Sequence, residues 1–109
     1  MARLPVGELR ARLVLEGPVE TPDRAGGVTR SWTPLASVWG DVATLNAQQR
    51  LEADQIGQTV THRLTLRWRA GLSTKQRLRR GSQIFLIRGV QDPDDRRRRL
   101  VCNCEEIKP

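Results

Sequence analysis

The 109-residue sequence predicts a mainly β fold: a small antiparallel β-barrel or sandwich of about six to seven strands, with a long loop and at most one or two short helices. Several short segments alternate with a period of two, and Gly, Pro and Asp recur between them. The length fits one domain spanning residues 1–109. Hydrophobic residues make up only 38% of the chain, so we expect a thin core and apolar surface that is buried in an oligomer.

The first half of the chain contains three predicted strands: residues 10–16, 28–33 and 36–45. Residues 1–9 precede them and are expected to form a flexible arm. Gly17-Pro18 is expected to stop the first strand, and Pro34 to stop the second. A turn rich in Gly and Asp connects these two strands.

The second half contains three further predicted strands: residues 58–69, 82–90 and 96–106. Alternation is clearest in the first of these, and it predicts that Trp68 lies in the core. Phe85 belongs to a strand that is apolar on both faces, so that strand is expected to be central. Residues 72–80 are polar and basic, and Ser73 is expected to cap one helical turn there.

Residues 46–59 interrupt the strand pattern. The segment contains good helix formers and a plausible helix stop at Gly57, so a short helix and a mobile polar loop both fit. We expect the segment to be mobile. Its candidate residues for that role are Gln48, Gln49, Arg50, Glu52, Asp54 and Gln55.

No catalytic, cofactor-binding or metal-binding set is expected, and the chain is not expected to be an enzyme. His62 is the single histidine and is in register with apolar residues, which indicates a structural role. Cys102 and Cys104 would share one face of a strand, where buried thiols pack as small apolar groups. Residues 91–95 form an Asp-rich turn that lacks the ligand pattern of a calcium loop. No apolar run approaches membrane-spanning length, so no membrane partner is expected.

The formal net charge is +7, and 17 of the 19 basic residues are Arg, which suits forked contacts with carboxylates and phosphates. Basic clusters lie at residues 77–80 and 96–99. Because aromatic residues are not interleaved with these clusters, we expect acidic protein surfaces rather than nucleic acid as their partners. The candidate interface residues are Trp32, Trp39, Arg79, Arg80, Arg96, Arg97, Arg98 and Arg99.

Five segments, in order, resemble one family: residues 7–13, 26–32, 38–42, 61–69 and 84–92. Residues 26–32 resemble a Gly-Gly-x-x-x-x-Trp hairpin, and residues 38–42 a Val-Trp-Ala-x-Val strand. Gly40 stands where that family often has Ala, which we expect to be a minor difference. The chain thus resembles the head–tail joining proteins, also called head-completion or stopper proteins, of long-tailed phages and phage-like gene transfer particles.

The resemblance implies a ring of six or twelve copies between the portal or its adaptor and the tail terminator. DNA would pass through the channel of this ring without sequence-specific binding, and the loop at residues 46–59 would line or close it. The expected location is the neck of a virion or phage-like particle, assembled in the bacterial cytoplasm. Two alternatives remain: a small basic nucleic-acid-binding barrel, and a tail terminator subunit.

Overall fold

A computed structural model describes residues 10–107, so the predicted arm at residues 1–9 lies outside the described residues. The elements are β1 (Ala11–Pro22), β2 (Val28–Thr44), α1 (Ala47–Gln55), β3 (His62–Arg67), β4 (Arg77–Arg80), β5 (Gln83–Gln91) and β6 (Arg99–Ile107). No helix in this part of the chain is long and apolar enough to cross a membrane.

The strands form one closed antiparallel sheet in the order β1-β2-β3-β6-β5-β4. Closure comes from β4, which pairs with β5 on one side and with β1 on the other. An even number of strands allows every neighbouring pair to be antiparallel. The predicted mainly β fold with one short helix is confirmed, and the barrel alternative is the one adopted.

The connections between strands alternate between the two ends of the barrel. One end, called here the helix end, carries α1 and the turn between β4 and β5. The opposite end, called the ribbon end, carries the β1–β2 hairpin, the link at residues 68–76 and the turn at residues 92–98. Residues in different connections therefore come together only if they belong to the same end.

The barrel interior is filled by side chains from all six strands. Val38 and Val42 of β2 are half-buried and pack against nine buried side chains from the other strands. These nine are Leu13, Leu15, Leu64, Leu66, Leu78, Phe85, Ile87, Cys102 and Cys104. The predicted core position of Phe85 is confirmed, and so is the shared inward face of the two cysteines. Gly40 takes the inward position between Val38 and Val42, because a Cβ there would lie 2.6 Å from a methyl group of Leu66 and 2.9 Å from the carbonyl oxygen of Thr65.

Two predicted strand ends are wrong. β1 continues through Gly17-Pro18 to Pro22, and β2 continues through Pro34 as a single strand with a register shift at Leu35. Beyond the barrel wall these strands pair only with each other, so each has an unpaired edge. A proline on such an edge costs no hydrogen bond of the ladder.

One capped helical turn was expected in the polar segment at residues 72–80, and this prediction is also wrong. The segment contains β4, whose Leu78 is fully buried while Arg77 and Arg79 point outward. The Ser73 hydroxyl accepts a hydrogen bond from the Lys75 N–H at 3.3 Å, which stabilises a turn rather than a helical turn. A strand of four residues is too short to show a clear alternation in sequence.

Candidate assembly surfaces

The most prominent outer feature is a projecting two-stranded ribbon formed by residues 16–34 of β1 and β2. Residues 18–31 are all exposed, and the ribbon contributes to the elongated molecular extents of 52 × 30 × 26 Å. At its tip, Asp23 Oδ1 accepts hydrogen bonds from the N–H groups of Ala25 and Gly27 at 2.8 and 2.9 Å. Gly26 adopts a φ of 84°, which glycine tolerates at little cost. The tip is therefore an ordered turn.

The two faces of the ribbon differ in chemistry. Cross-strand partners share a face, and one face carries the Glu20–Arg30 ion pair at 3.0 Å. The other face is uncharged and consists of small and β-branched residues: Val19, Thr21, Thr29 and Ser31 are exposed, Thr33 is half-buried, and Gly17 is buried at the base. Exposed uncharged β-structure with unpaired edges is suited to contact with another protein.

The ribbon is attached to the barrel by a buried ionic cluster. Glu16 is 4% exposed and accepts hydrogen bonds from Arg77 Nε at 2.7 Å and from Arg79 Nε at 3.0 Å. The Arg77 guanidinium also lies 4.3 Å from the centre of the Trp32 ring. Two predicted interface residues, Trp32 and Arg79, thus meet at the base of the ribbon, although sequence spacing gave no sign of it.

The charge of Glu16 is maintained despite its burial. Burial alone would raise the pKa of this carboxyl group, but the hydrogen bonds and positive charges of Arg77 and Arg79 outweigh it. The resulting pKa is below the ordinary value for glutamate. Glu16 is therefore ionised at neutral pH and holds both arginines in place.

The arginines at residues 96–99 lie at the ribbon end, in and beside the turn before β6. Asp94 Oδ1 accepts from the Arg96 N–H at 3.2 Å, and Asp92 Oδ2 accepts from the Arg97 N–H at 2.9 Å. Arg98 donates to the other Asp94 oxygen at 2.6 Å, and this hydrogen bond lowers the pKa of Asp94. The aspartates thus stabilise this turn by accepting hydrogen bonds from its own backbone.

Trp68 is not in the core, so that prediction is wrong. Because β3 ends at Arg67, Trp68 lies beyond the barrel wall, where 36% of it is exposed. The Arg97 guanidinium lies 5.6 Å from the centre of its ring. The Ala70-Gly71 pair could have indicated this exposure from the sequence, because it places the end of the strand close to Trp68.

A different surface lies on the outer wall of the barrel around Trp39, which is 55% exposed. Arg12 is its cross-strand partner on β1, and Arg67 is one position beyond the Gly40–Leu66 pair on the β3 side. Within residues 10–107, no carboxylate lies within ion-pair distance of Arg12 or Arg67. We call Arg12, Trp39 and Arg67 the tryptophan wall.

At the helix end, residues 46–59 contain α1, so the short helix is adopted rather than an irregular excursion. Asn46 and Gln49 form a reciprocal capping box with hydrogen bonds of 2.9 and 3.0 Å. No residue of α1 is buried, and Leu51 and Ile56 are 57% and 73% exposed. Among the described residues α1 is thus the element least committed to the core.

A recess of about 180 Å³ separates α1 from the barrel. Its lining combines apolar side chains with polar ones: Leu45, Gln49, Glu52, Ala53, Ile56, Gln58, Val60, Arg63 and Asn103. The last two of these belong to the outward faces of β3 and β6, so α1 lies against the outer wall. We call this cavity the helix recess.

The predicted interface residues are therefore distributed over four places, the first of which is the base of the ribbon with Trp32 and Arg79. Arg80 is at the helix end, where it donates to the Gln83 side chain at 2.6 and 2.9 Å. Residues 96–98 are at the opposite end, and Trp39 is on the wall between them. The two arginine clusters do not form one continuous surface.

Unlike Glu16, the histidine and the two cysteines that face the barrel core are held in their neutral forms. Burial lowers the pKa of His62, whose ring lies 5.1 Å from that of Phe85 and 2.9 Å from the Thr61 hydroxyl. Burial raises the pKa of Cys102 to about 12 and also raises that of Cys104. Both thiols are therefore protonated at neutral pH and poorly nucleophilic.

Comparison with known proteins gives one family match and two similar solved structures, each over nearly the whole chain. The model of the phage head completion protein family matches residues 4–107. The solution structure of protein SF1141 from Shigella flexneri 2a has a TM-score of 0.74 and 22% identity, covering 94% of this chain and 96% of that one. A chain from the virion of a native gene transfer agent particle has a TM-score of 0.64 and 26% identity, covering 94% and 98%. No curated protein matches.

The family match includes every strand and the helix. The likeness to SF1141 concerns the fold alone, whereas the gene transfer agent chain is a component of a virion. The family indicated by the five resembling segments is thereby confirmed. On a match over residues 4–107, the chain belongs to the phage head completion protein family.

Proposed function

We propose that the chain is a connector subunit that forms a ring between the head and the tail of a phage or phage-like particle. The observation that carries this proposal is the family match over residues 4–107. The similar chain from a gene transfer agent virion supports a place in a particle of this kind. Six or twelve copies would form the ring, and the portal or its adaptor and the tail terminator would be its neighbours.

The geometry supports a connector because the surfaces available for contact with partners lie on the outside of the barrel. Packed apolar side chains fill the barrel interior, while the charged and aromatic groups of the candidate surfaces lie on its outside. The ribbon projects from one end and α1 lies exposed at the other. A subunit with separate contact elements at opposite ends is suited to bridging two neighbours.

The predicted site residues have distinct roles in this proposal. Trp32 and Arg79 set the direction of the ribbon through the Glu16 cluster, and residues 96–99 present a basic surface at the ribbon end. The outer side of α1, with Gln48, Arg50 and Asp54, faces the DNA channel or moves when the ring docks. Its mixed charges suit a channel that lets DNA pass without retaining it.

A reconstruction of the particle neck tests this function directly. We expect a ring of six or twelve copies between the portal side and the tail, with the ribbon and α1 pointing to different neighbours. A variant whose ribbon residues 19–31 are replaced by a short turn should keep the barrel and yield filled heads without tails. Density for the chain elsewhere in the particle, or normal tail attachment by that variant, would contradict the proposal.

A second candidate function, binding of nucleic acid, is favoured by one observation. Arg97 stacks on the exposed Trp68, which supplies an aromatic residue beside the basic cluster. Titration of the purified protein with generic DNA at increasing salt separates the two functions. Tight binding that weakens steeply with salt supports the second candidate, and weak binding throughout supports the connector.

A further inference from the structure

The described residues contain an exposed aromatic side chain and an open recess that are not used within one molecule. Trp39 projects from the middle of β2, and the helix recess lies over β3 and β6. Successive strands of a closed barrel face successively different directions, so the two features point different ways. A protruding side chain and a recess on different sides of the molecule are suited to a head-to-tail contact between copies, rather than to a symmetric two-fold contact.

We propose that the helix recess of one subunit receives Trp39 of the next copy of this chain. This inference rests on the proposed ring, for which it names the contact between subunits. Cavities of roughly 150 Å³ accommodate a benzene ring, so a recess of about 180 Å³ has room for an aromatic side chain. Leu45, Ala53 and Val60 give the recess the apolar lining that an indole requires.

One charged group at the edge of each feature is complementary to the other. Glu52 lies at the edge of the recess, whereas Asp54, two residues further along α1, lies on the outer side of the helix. Trp39 is flanked by Arg12 and Arg67 on the neighbouring strands and by Asp41 on β2, and no carboxylate in the described part of the chain lies within ion-pair distance of either arginine. Arg63 also lines the recess, where its Nε donates to Asn103 Oδ1 at 3.3 Å. Arg67 of the incoming copy would therefore meet Glu52.

The contact also covers apolar surface that the single molecule leaves in water. Ile56, at 73% exposure, lines the recess and would pack against the incoming indole. Trp and Arg together are the residues that most often dominate protein interfaces. The same contact holds α1 against the barrel, which leaves the outer side of the helix for the channel.

Crosslinking within assembled particles tests the contact. Ser37→Cys lies beside Trp39 on β2 and Gln55→Cys lies on α1, and both positions are exposed. A short bismaleimide should join copies that carry these two changes into chains, and the native thiols should not react because they are fully buried. Adding Trp39→Ala should reduce the crosslinked fraction at least about tenfold, as expected for loss of an interface anchor. Trp68→Ala, which removes another exposed tryptophan, is the matched control and should not reduce it.

A charge exchange provides the second arm. Arg67→Glu should weaken crosslinking by bringing like charges together, and Arg67→Glu combined with Glu52→Arg should restore it. Particles whose necks contain the ring but give no crosslink would overturn the contact and leave the proposed function intact. Necks without this chain would overturn the proposed function. The contact would then be tested by crosslinking the purified protein at high concentration, and absence of a Trp39-dependent crosslink in that experiment would overturn the contact as well.

Discussion

β1 and β2 are continuous strands, yet their two halves lie in different environments. Near the helix end, Leu13 and Leu15 are buried in the barrel, whereas residues 18–31 of the ribbon are exposed. The barrel half is stabilised by apolar burial, and the ribbon half by its own ladder and by one ionic cluster at its base. One pair of strands thus provides both a stable body and a projecting surface, and the boundary between them is at Glu16.

The comparison is tested most strongly by removing matched apolar groups from each half. Leu13→Ala in the barrel half of β1 leaves a cavity and should lower the free energy of unfolding by about 2–5 kcal/mol. Val19→Ala in the ribbon should change it by less than about 0.5 kcal/mol, because that side chain is already exposed. Urea denaturation measures both. Similar losses for the two variants would show that the ribbon is as tightly coupled to the core as the barrel.

The boundary itself is tested by Glu16→Gln. The change leaves Arg77, whose side chain is 15% exposed, and Arg79 without their counter-charge, and should cost about 2–3 kcal/mol at neutral pH. Because the folded-state pKa of Glu16 is lowered, its contribution is present above the unfolded-state pKa and is lost as the pH falls through the folded-state pKa. The wild-type advantage over Glu16→Gln should therefore disappear on acidification.

Glu20→Gln is the matched control for this boundary. The Glu20–Arg30 pair has the same chemistry, but both of its side chains are more than half exposed. Such pairs contribute little, so the loss should be no more than about 0.5 kcal/mol. Equal losses for the two variants would contradict the distinction between the boundary and the ribbon.

The close packing of the barrel half is tested by Gly40→Ala. A Cβ at this position would lie 2.9 Å from the backbone oxygen of Thr65, so the strands must move apart at a cost of about 1–3 kcal/mol. Gly89→Ala is the control, since its Cβ would approach no atom closer than 3.8 Å. Thermal unfolding of both variants should show a loss for position 40 alone.

The sequence was sufficient for the fold class because alternation and turns are local signals. It was insufficient where the outcome depended on neighbouring strands. Pro18 and Pro34 were expected to end strands, but the ribbon gives them unpaired edges, which no local pattern reveals. The four-residue β4 is recognised only through its pairing with β1 and β5.

The candidate surfaces were predictable by residue type but not by grouping. Trp32 and Arg79 were identified separately, and only the fold brings them into one cluster, Arg79 through Glu16 and Trp32 through Arg77. Glu16 was missed because an acidic residue at the end of an apolar run resembles an ordinary strand terminus. Trp68 was misplaced because its register is correct for the core, but the strand ends one residue too early.

The smallest effect is expected at the ribbon end, where Arg97 stacks on Trp68. An exposed cation–π contact contributes about 0.5–1 kcal/mol, so Arg97→Ala should lower stability by no more than this amount. A double-mutant cycle with Trp68→Leu isolates the contact from the turn, since the Arg97 N–H keeps its hydrogen bond to Asp92 in both single variants. A coupling energy near zero would mean that Trp68 is held in place by the chain alone. It would then be as available to a partner as Trp39 is on the barrel wall.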